Sequence, residues 1–103
     1  MPIEQRSIIF SPRELKEALQ EYAGRTKREL PASGVPNDVA VDGDPDVSTT
    51  LKWGEQQARF DAMETTAAVL MYAQKKQIPI PRRARKSLSV RNGSLALMTY
   101  MAD

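Results

Sequence analysis

VSTTLKWGEQQARFDAMETTAAVLMYAQKK, residues 47–76, decides the fold. Its opening residues alternate. Val47, Thr49, Leu51 and Trp53 point one way and Ser48, Thr50 and Lys52 the other, the period of a half-buried strand. Gly54-Glu55 then reads as a turn, and Gln56 to Phe60 returns as a second strand. A single helix from Glu55 to Lys76 competes, because Phe60, Met63, Ala67 and Leu70 also fall on one helical face. The hairpin is preferred, since Asp61-Ala62-Met63-Glu64 has the spacing of a capping box, which starts a helix rather than continuing one. The spacing thus predicts a helix over 62–76. Its middle, Ala67 to Ala73, is apolar all round. It is expected at the centre of the fold, covered on more than one side by a sheet and by either another helix or a second subunit.

Upstream, Ile8, Ile9 and Phe10 form a short apolar strand. Ser11-Pro12-Arg13-Glu14 follows as another helix start: a capping box, proline at N1, and Phe10 and Leu15 at the hydrophobic-staple positions. Leu15, Ala18, Leu19, Tyr22 and Ala23 then make one apolar face. Gly24 ends this helix as C′, or it continues through Lys27 and Arg28; Pro31 stops it in either case. Residues 31–46 hold three Pro, two Gly and four Asp, which suggests a long, flexible loop with room for a short strand at Val39–Val41.

Downstream, Pro79 and Pro81 impose an extended stretch. Asn92-Gly93 calls for a type I′ hairpin between Lys86–Arg91 and Ser94–Met101. That turn pairs Arg91 with Ser94, Val90 with Leu95 and Leu88 with Leu97, so Leu88, Val90, Leu95 and Leu97 share a face that should pack on the second helix. The other face holds Ser87, Ser89, Ala96, Met98 and Tyr100. No internal repeat or low-complexity tract is evident. The expected architecture is a single α+β domain over 1–103, in the order β-α-β-β-α-β-β, with a small, mainly antiparallel sheet on two helices.

Composition narrows the chemistry. The 103 residues contain no Cys and no His, which excludes disulfide scaffolds, zinc fingers, thiol nucleophiles and every His-based triad. No phosphate-binding glycine motif occurs. The longest apolar run is seven residues, far below the roughly 20 a membrane span needs. MPIEQRSIIF has no secretory apolar region, so a cytoplasmic protein with no membrane partner is expected. An EF-type loop from Asp38 would place Asp42, Gly43 and Asp46 correctly but lacks the bidentate Glu, so no metal and no cofactor are expected. Asp61 with Glu64, and Ser11 with Glu14, are explained as caps rather than acid–base pairs. Trp53 reads as a core or rim aromatic, and the methionines Met63, Met71, Met98 and Met101 read as core fillers.

The charge is divided. Residues 1–51 carry six bases and nine acids, while residues 52–103 carry nine bases and four acids. Between Lys75 and Arg91 stand seven bases and no acid: Lys75, Lys76, Arg82, Arg83, Arg85, Lys86 and Arg91. Guanidinium forks suit phosphate or carboxylate, and the two prolines stiffen their approach, so this stretch is the candidate contact for a polyanion such as nucleic acid, or for an acidic protein. A nucleic-acid site also needs aromatics for stacking. Tyr72 and Tyr100 are the nearest, and neither is interleaved with the charges. The expected function is therefore a non-enzymatic binding or regulatory module with a basic surface. The alternative is a protein-interaction or homodimeric module whose apolar interface includes the second helix, Met98 and Tyr100.

Residues 58–97, with an apolar helix, an IP-[IL]-P-R turn (Ile78 to Arg82), a basic step and a closing strand, resemble the C-terminal part of certain small uncharacterised bacterial proteins. The resemblance implies a helix–turn–hairpin unit in a bacterial, cytosolic setting, and carries no activity or site residue.

Overall fold

The computed structural model of the chain describes residues 3–43 and 46–102. Its elements are β1 (Ile3–Phe10), α1 (Pro12–Arg25), β2 (Asp38–Asp42), β3 (Ser48–Trp53), β4 (Gln56–Phe60), α2 (Ala62–Lys75), β5 (Arg85–Arg91) and β6 (Ser94–Ala102). The chain is α+β, and the strand–turn–strand reading of 47–60 holds. The strands form two antiparallel three-stranded sheets rather than one, ordered β1-β6-β5 and β2-β3-β4. The stretch 31–46, expected as a flexible loop with room for a short strand at Val39–Val41, contains that strand as β2, one residue longer at each end and paired with β3 from Asp38↔Lys52 to Asp42↔Ser48; residues 44 and 45 lie outside the described residues.

Both helices begin with the capping boxes the sequence spells. Ser11 and Asp61 accept from the N3 amides of Glu14 and Glu64, whose carboxylates accept from the cap amides in return. The first helix ends neither at Gly24 as C′ nor beyond Arg28. Thr26 is the C-cap and Lys27 turns left-handed at φ 57°. The amides of Lys27 and Arg28 bond back to Gly24 O and Ala23 O, a Schellman closure made without glycine. The second helix ends identically. Gln77 has φ 59°, and the amides of Gln77 and Ile78 bond to Gln74 O and Ala73 O.

These equivalences, 50 residues apart, correct the expectation that the chain has no internal repeat. Phe10 to Pro31 aligns without gaps on Phe60 to Pro81, with six identities among 22 pairs: Phe10/Phe60, Glu14/Glu64, Ala18/Ala68, Tyr22/Tyr72, Ala23/Ala73 and Pro31/Pro81. Each half is a β-α-β-β unit, and the halves exchange strands. β1 of the first pairs with β6 of the second, and β4 of the second pairs with β3 of the first. Phe10 stacks edge-on against Tyr72, and Phe60 against Tyr22, at 6.1 and 6.4 Å. The strand exchange puts each half's Phe under the other half's helix, and one core cluster runs through both.

The same register exposes an asymmetry. Where one pair of equivalent core positions holds Leu15 of α1 and Leu95 of β6, the other holds Thr65 of α2 and Thr49 of β3, hydroxyls 3.0 Å apart and both fully buried. Thr65 also donates to Phe60 O. Thr65→Val is expected to cost about 1–3 kcal/mol, because it leaves the Thr49 hydroxyl buried alone. Adding Thr49→Val should cost distinctly less than that again. Urea unfolding of the two single variants and the double measures the coupling.

The middle of α2 is covered on more than one side, as expected, while its first turn is not. It packs on α1 and on strands β3, β4 and β5, yet Met63 is 82% exposed. None of the four methionines read as filler is fully buried. Leu95 and Leu97 are in the core as expected, while Val90 stays 38% exposed at the β5 edge. There Gly43 allows β2's end to pass close by: a Cβ on it would stand 3.1 Å from Val90 Cγ2.

Candidate polyanion-binding face

The Asn92-Gly93 turn adopts positive φ at both residues (51° and 77°) and sets the register of the β5–β6 hairpin. The register fixes where each basic residue points, because successive strand residues alternate faces. Lys86, Leu88 and Val90 face the helices. Arg85, Ser87, Ser89 and Arg91 face outward, away from them, with Ser94, Ala96, Met98 and Tyr100 of β6 and Gln5, Ser7 and Ile9 of β1.

The seven bases read as one surface therefore separate into four groups. Lys75 and Lys76 belong to the helix pair: Lys75 is hydrogen-bonded to Glu21, and Lys76 Nζ lies 3.7 Å from Glu17 and 5.6 Å from the Tyr72 ring. The Glu21 hydrogen bond raises the Lys75 pKa above its ordinary value. Burial, reinforced by Glu17, Glu14 and Glu21, raises that of the Tyr72 phenol, which lies in the core and offers no stacking surface. Both lysines are committed to α1.

Lys86 and Arg82 stand on the helix side. Lys86 Nζ donates to Ala84 O (3.0 Å) and Arg82 O (3.3 Å), closing the Pro81–Ala84 turn, and both residues line a cleft beside α2. Arg6, which the sequence reading omitted, holds the same connection from β1, its guanidinium donating to Pro79 O at 2.8 Å.

Arg83 and Arg85 turn to the outer face, where with Tyr100 and Met101 they line a depression of about 310 Å³. Arg85 is the cross-strand partner of Tyr100, and Tyr100 is 39% exposed. Arg91 lies on the same face at the far end of β5, about 20 Å away by strand rise, its guanidinium 3.9 Å from Met98 Sδ. Arg82, Arg83, Arg85 and Arg91 make no ion pair among the described residues.

The outer face of the other sheet supplies a comparison within the molecule. Positions equivalent to Ser87, Arg91, Met98 and Ile9 carry Asp38, Asp42, Lys52 and Arg59, two acids against two bases. The β1-β6-β5 face carries Arg85 and Arg91 and no acid among the residues named above. Because one backbone plan accommodates both surfaces, folding alone does not require the basic, aromatic one.

Residues 38–42, which a calcium loop would need to wrap around an ion, are strand β2 instead. Among the described residues no group of three or more acidic side chains is placed to hold a metal ion, and no helix is long and apolar enough to cross a membrane. No protein-family model, curated protein sequence or solved structure matches the chain.

Proposed function

We propose that the chain is a non-enzymatic binding module that contacts a polyanion, such as single-stranded nucleic acid, through the outer face of the β1-β6-β5 sheet. The observation that carries this reading is Tyr100, an exposed aromatic bracketed by Arg83 and Arg85 on a face no helix covers. Stacking platforms for unpaired bases combine an aromatic ring with cations that follow the backbone. The sheet supplies both, and the hydroxyls of Ser87 and Ser7 and the amide of Gln5 lie beside them as hydrogen-bonding groups. Arg91 extends the positive potential along the strand. A single strand suits the face better than a duplex, because no exposed helix presents these residues to a groove.

The test is a fluorescence-anisotropy titration with labelled single-stranded RNA and duplex DNA at about 50 and 200 mM salt. Three phosphate contacts on a single strand predict about a tenfold or greater loss of affinity across that range. Single-stranded RNA should bind more tightly than the duplex. Absence of binding at the lower salt, or binding insensitive to salt, would overturn the proposal.

A further inference from the structure

The internal repeat also provides a comparison on the helices. Met63, Thr66, Ala67 and Leu70 of α2 stand where α1 carries Arg13, Lys16, Glu17 and Gln20. Met63 is 82% exposed, Ala67 is exposed and Leu70 is half-buried. The same helix in the same setting is polar on this face in one half and apolar in the other. Met63, Ala67 and Leu70 recur at the i, i+4, i+7 spacing by which a helix presents anchors to a partner. Beyond Leu70 the face runs into a cleft of about 530 Å³ that includes Ile78, Ile80, Arg82 and Lys86.

The first half draws its own chain toward the corresponding cleft, which stays open at about 500 Å³ and includes Gln20, Gly24, Arg28 and Gly34. Gln20 Nε2 donates to Gly34 O at 3.2 Å, and the indole of Trp53 donates to the same carbonyl, so Gly34 is tied to both α1 and β3 and brings a polar rim to that cleft. The second half has only residues 82–84 between Pro81 and β5, and Leu70 in place of Gln20. It has neither the segment nor the hydrogen-bonding side chain.

Charge identifies what covers it. α2 is about 21 Å long by helix rise. At its start stands the exposed carboxylate of Asp61; at the far end of the face stand Arg82 and Lys86; no acid lines the cleft or the apolar stretch. A face acidic at one end, apolar along its length and basic at the other is complementary to itself when two copies run antiparallel, as an isologous interface requires. We infer that this face of α2 pairs with the same face of a second copy of the chain, placing Arg82 of each copy beside Asp61 of the other. The interface is separate from the outer sheet face.

Sedimentation of the full chain between about 10 and 500 µM tests this, a range suited to a contact smaller than a standard interface. The mass should climb from the 11.5 kDa of one chain toward twice that value. The variant Met63→Arg, Ala67→Glu, Leu70→Gln carries α1's own residues at the equivalent positions, so the backbone is known to accept them. It should stay at one chain's mass throughout, with an unchanged helical spectrum. Arg82→Glu, at an exposed site, should weaken association at least tenfold at low salt. A one-chain mass at every concentration would overturn the inference and leave the face to a partner of different sequence. A two-chain mass that survives the triple substitution would overturn it as well.

Discussion

Phe60→Ala is expected to destabilise the protein by about 3–5 kcal/mol, the range for emptying a fully buried aromatic site. Phe60 is 0% exposed and stands where three elements converge. It closes the β3–β4 pairing opposite Thr49, meets the edge of Tyr22 from α1, and carries the Arg28 guanidinium 4.1 Å above its ring. Arg28 in turn reaches Glu64 at 2.5 Å and donates to Arg59 O, clamping the exit of α1 to the start of α2. Losing the ring removes the floor of that clamp as well as the packing. Against a total stability of about 5–15 kcal/mol for a domain, the loss is a large fraction. Guanidinium unfolding followed by circular dichroism measures it. Arg28→Ile, which installs the residue of the equivalent position 78, should cost less, because it removes a cation–π contact and an ion pair but keeps an apolar cover. If Arg28→Ile proves as damaging as Phe60→Ala, the clamp rather than the ring holds the two halves together.

What could be read from sequence was what depends on neighbouring residues. The two capping boxes, the Asn92-Gly93 turn and the alternation from Thr49 to Trp53 act within a few positions and appear in the structure as spelled, while Ser48, read to face away from the core, is buried beside Thr49. Pairings between distant strands were out of reach. Nothing local says that β1 joins β6 rather than β2, so the extension of β1 back to Ile3 and the division into two sheets were missed. The repeat was hidden for a different reason. Its halves conserve physical roles more than residue identities: Ser11 and Asp61 both cap, Lys27 and Gln77 both turn left-handed, and Leu15 and Thr65 both fill the core. The outer basic face was within reach. Extending the hairpin register from Arg91↔Ser94 outward brings Arg85 to Tyr100, so the aromatic among the charges was implicit in the turn already identified. Arg6 was not, because its partner, Pro79 O, lies 73 residues away.

Division of the arginine stretch between two sides of the sheet leads to the second large effect. Arg83→Gln with Arg85→Gln should weaken binding to single-stranded RNA by about tenfold or more at 50 mM salt and flatten the salt dependence by roughly one to two phosphate contacts. Tyr100→Ala should lose about 1–3 kcal/mol of binding, the worth of one stacked base, while leaving the salt slope unchanged, because a ring releases no counterions. Arg82→Gln should do little, although Arg82 adjoins Arg83 in sequence, since it faces the cleft beside α2. All four side chains are exposed, so the unfolding midpoints should stay close to that of the parent. A diffuse attraction by the basic half of the chain would instead make the effect follow net charge, with Arg82→Gln costing as much as either neighbour and Tyr100→Ala costing nothing. The comparison therefore separates a built surface, in which a ring and two guanidinium groups act together, from an excess of positive charge that happens to lie nearby.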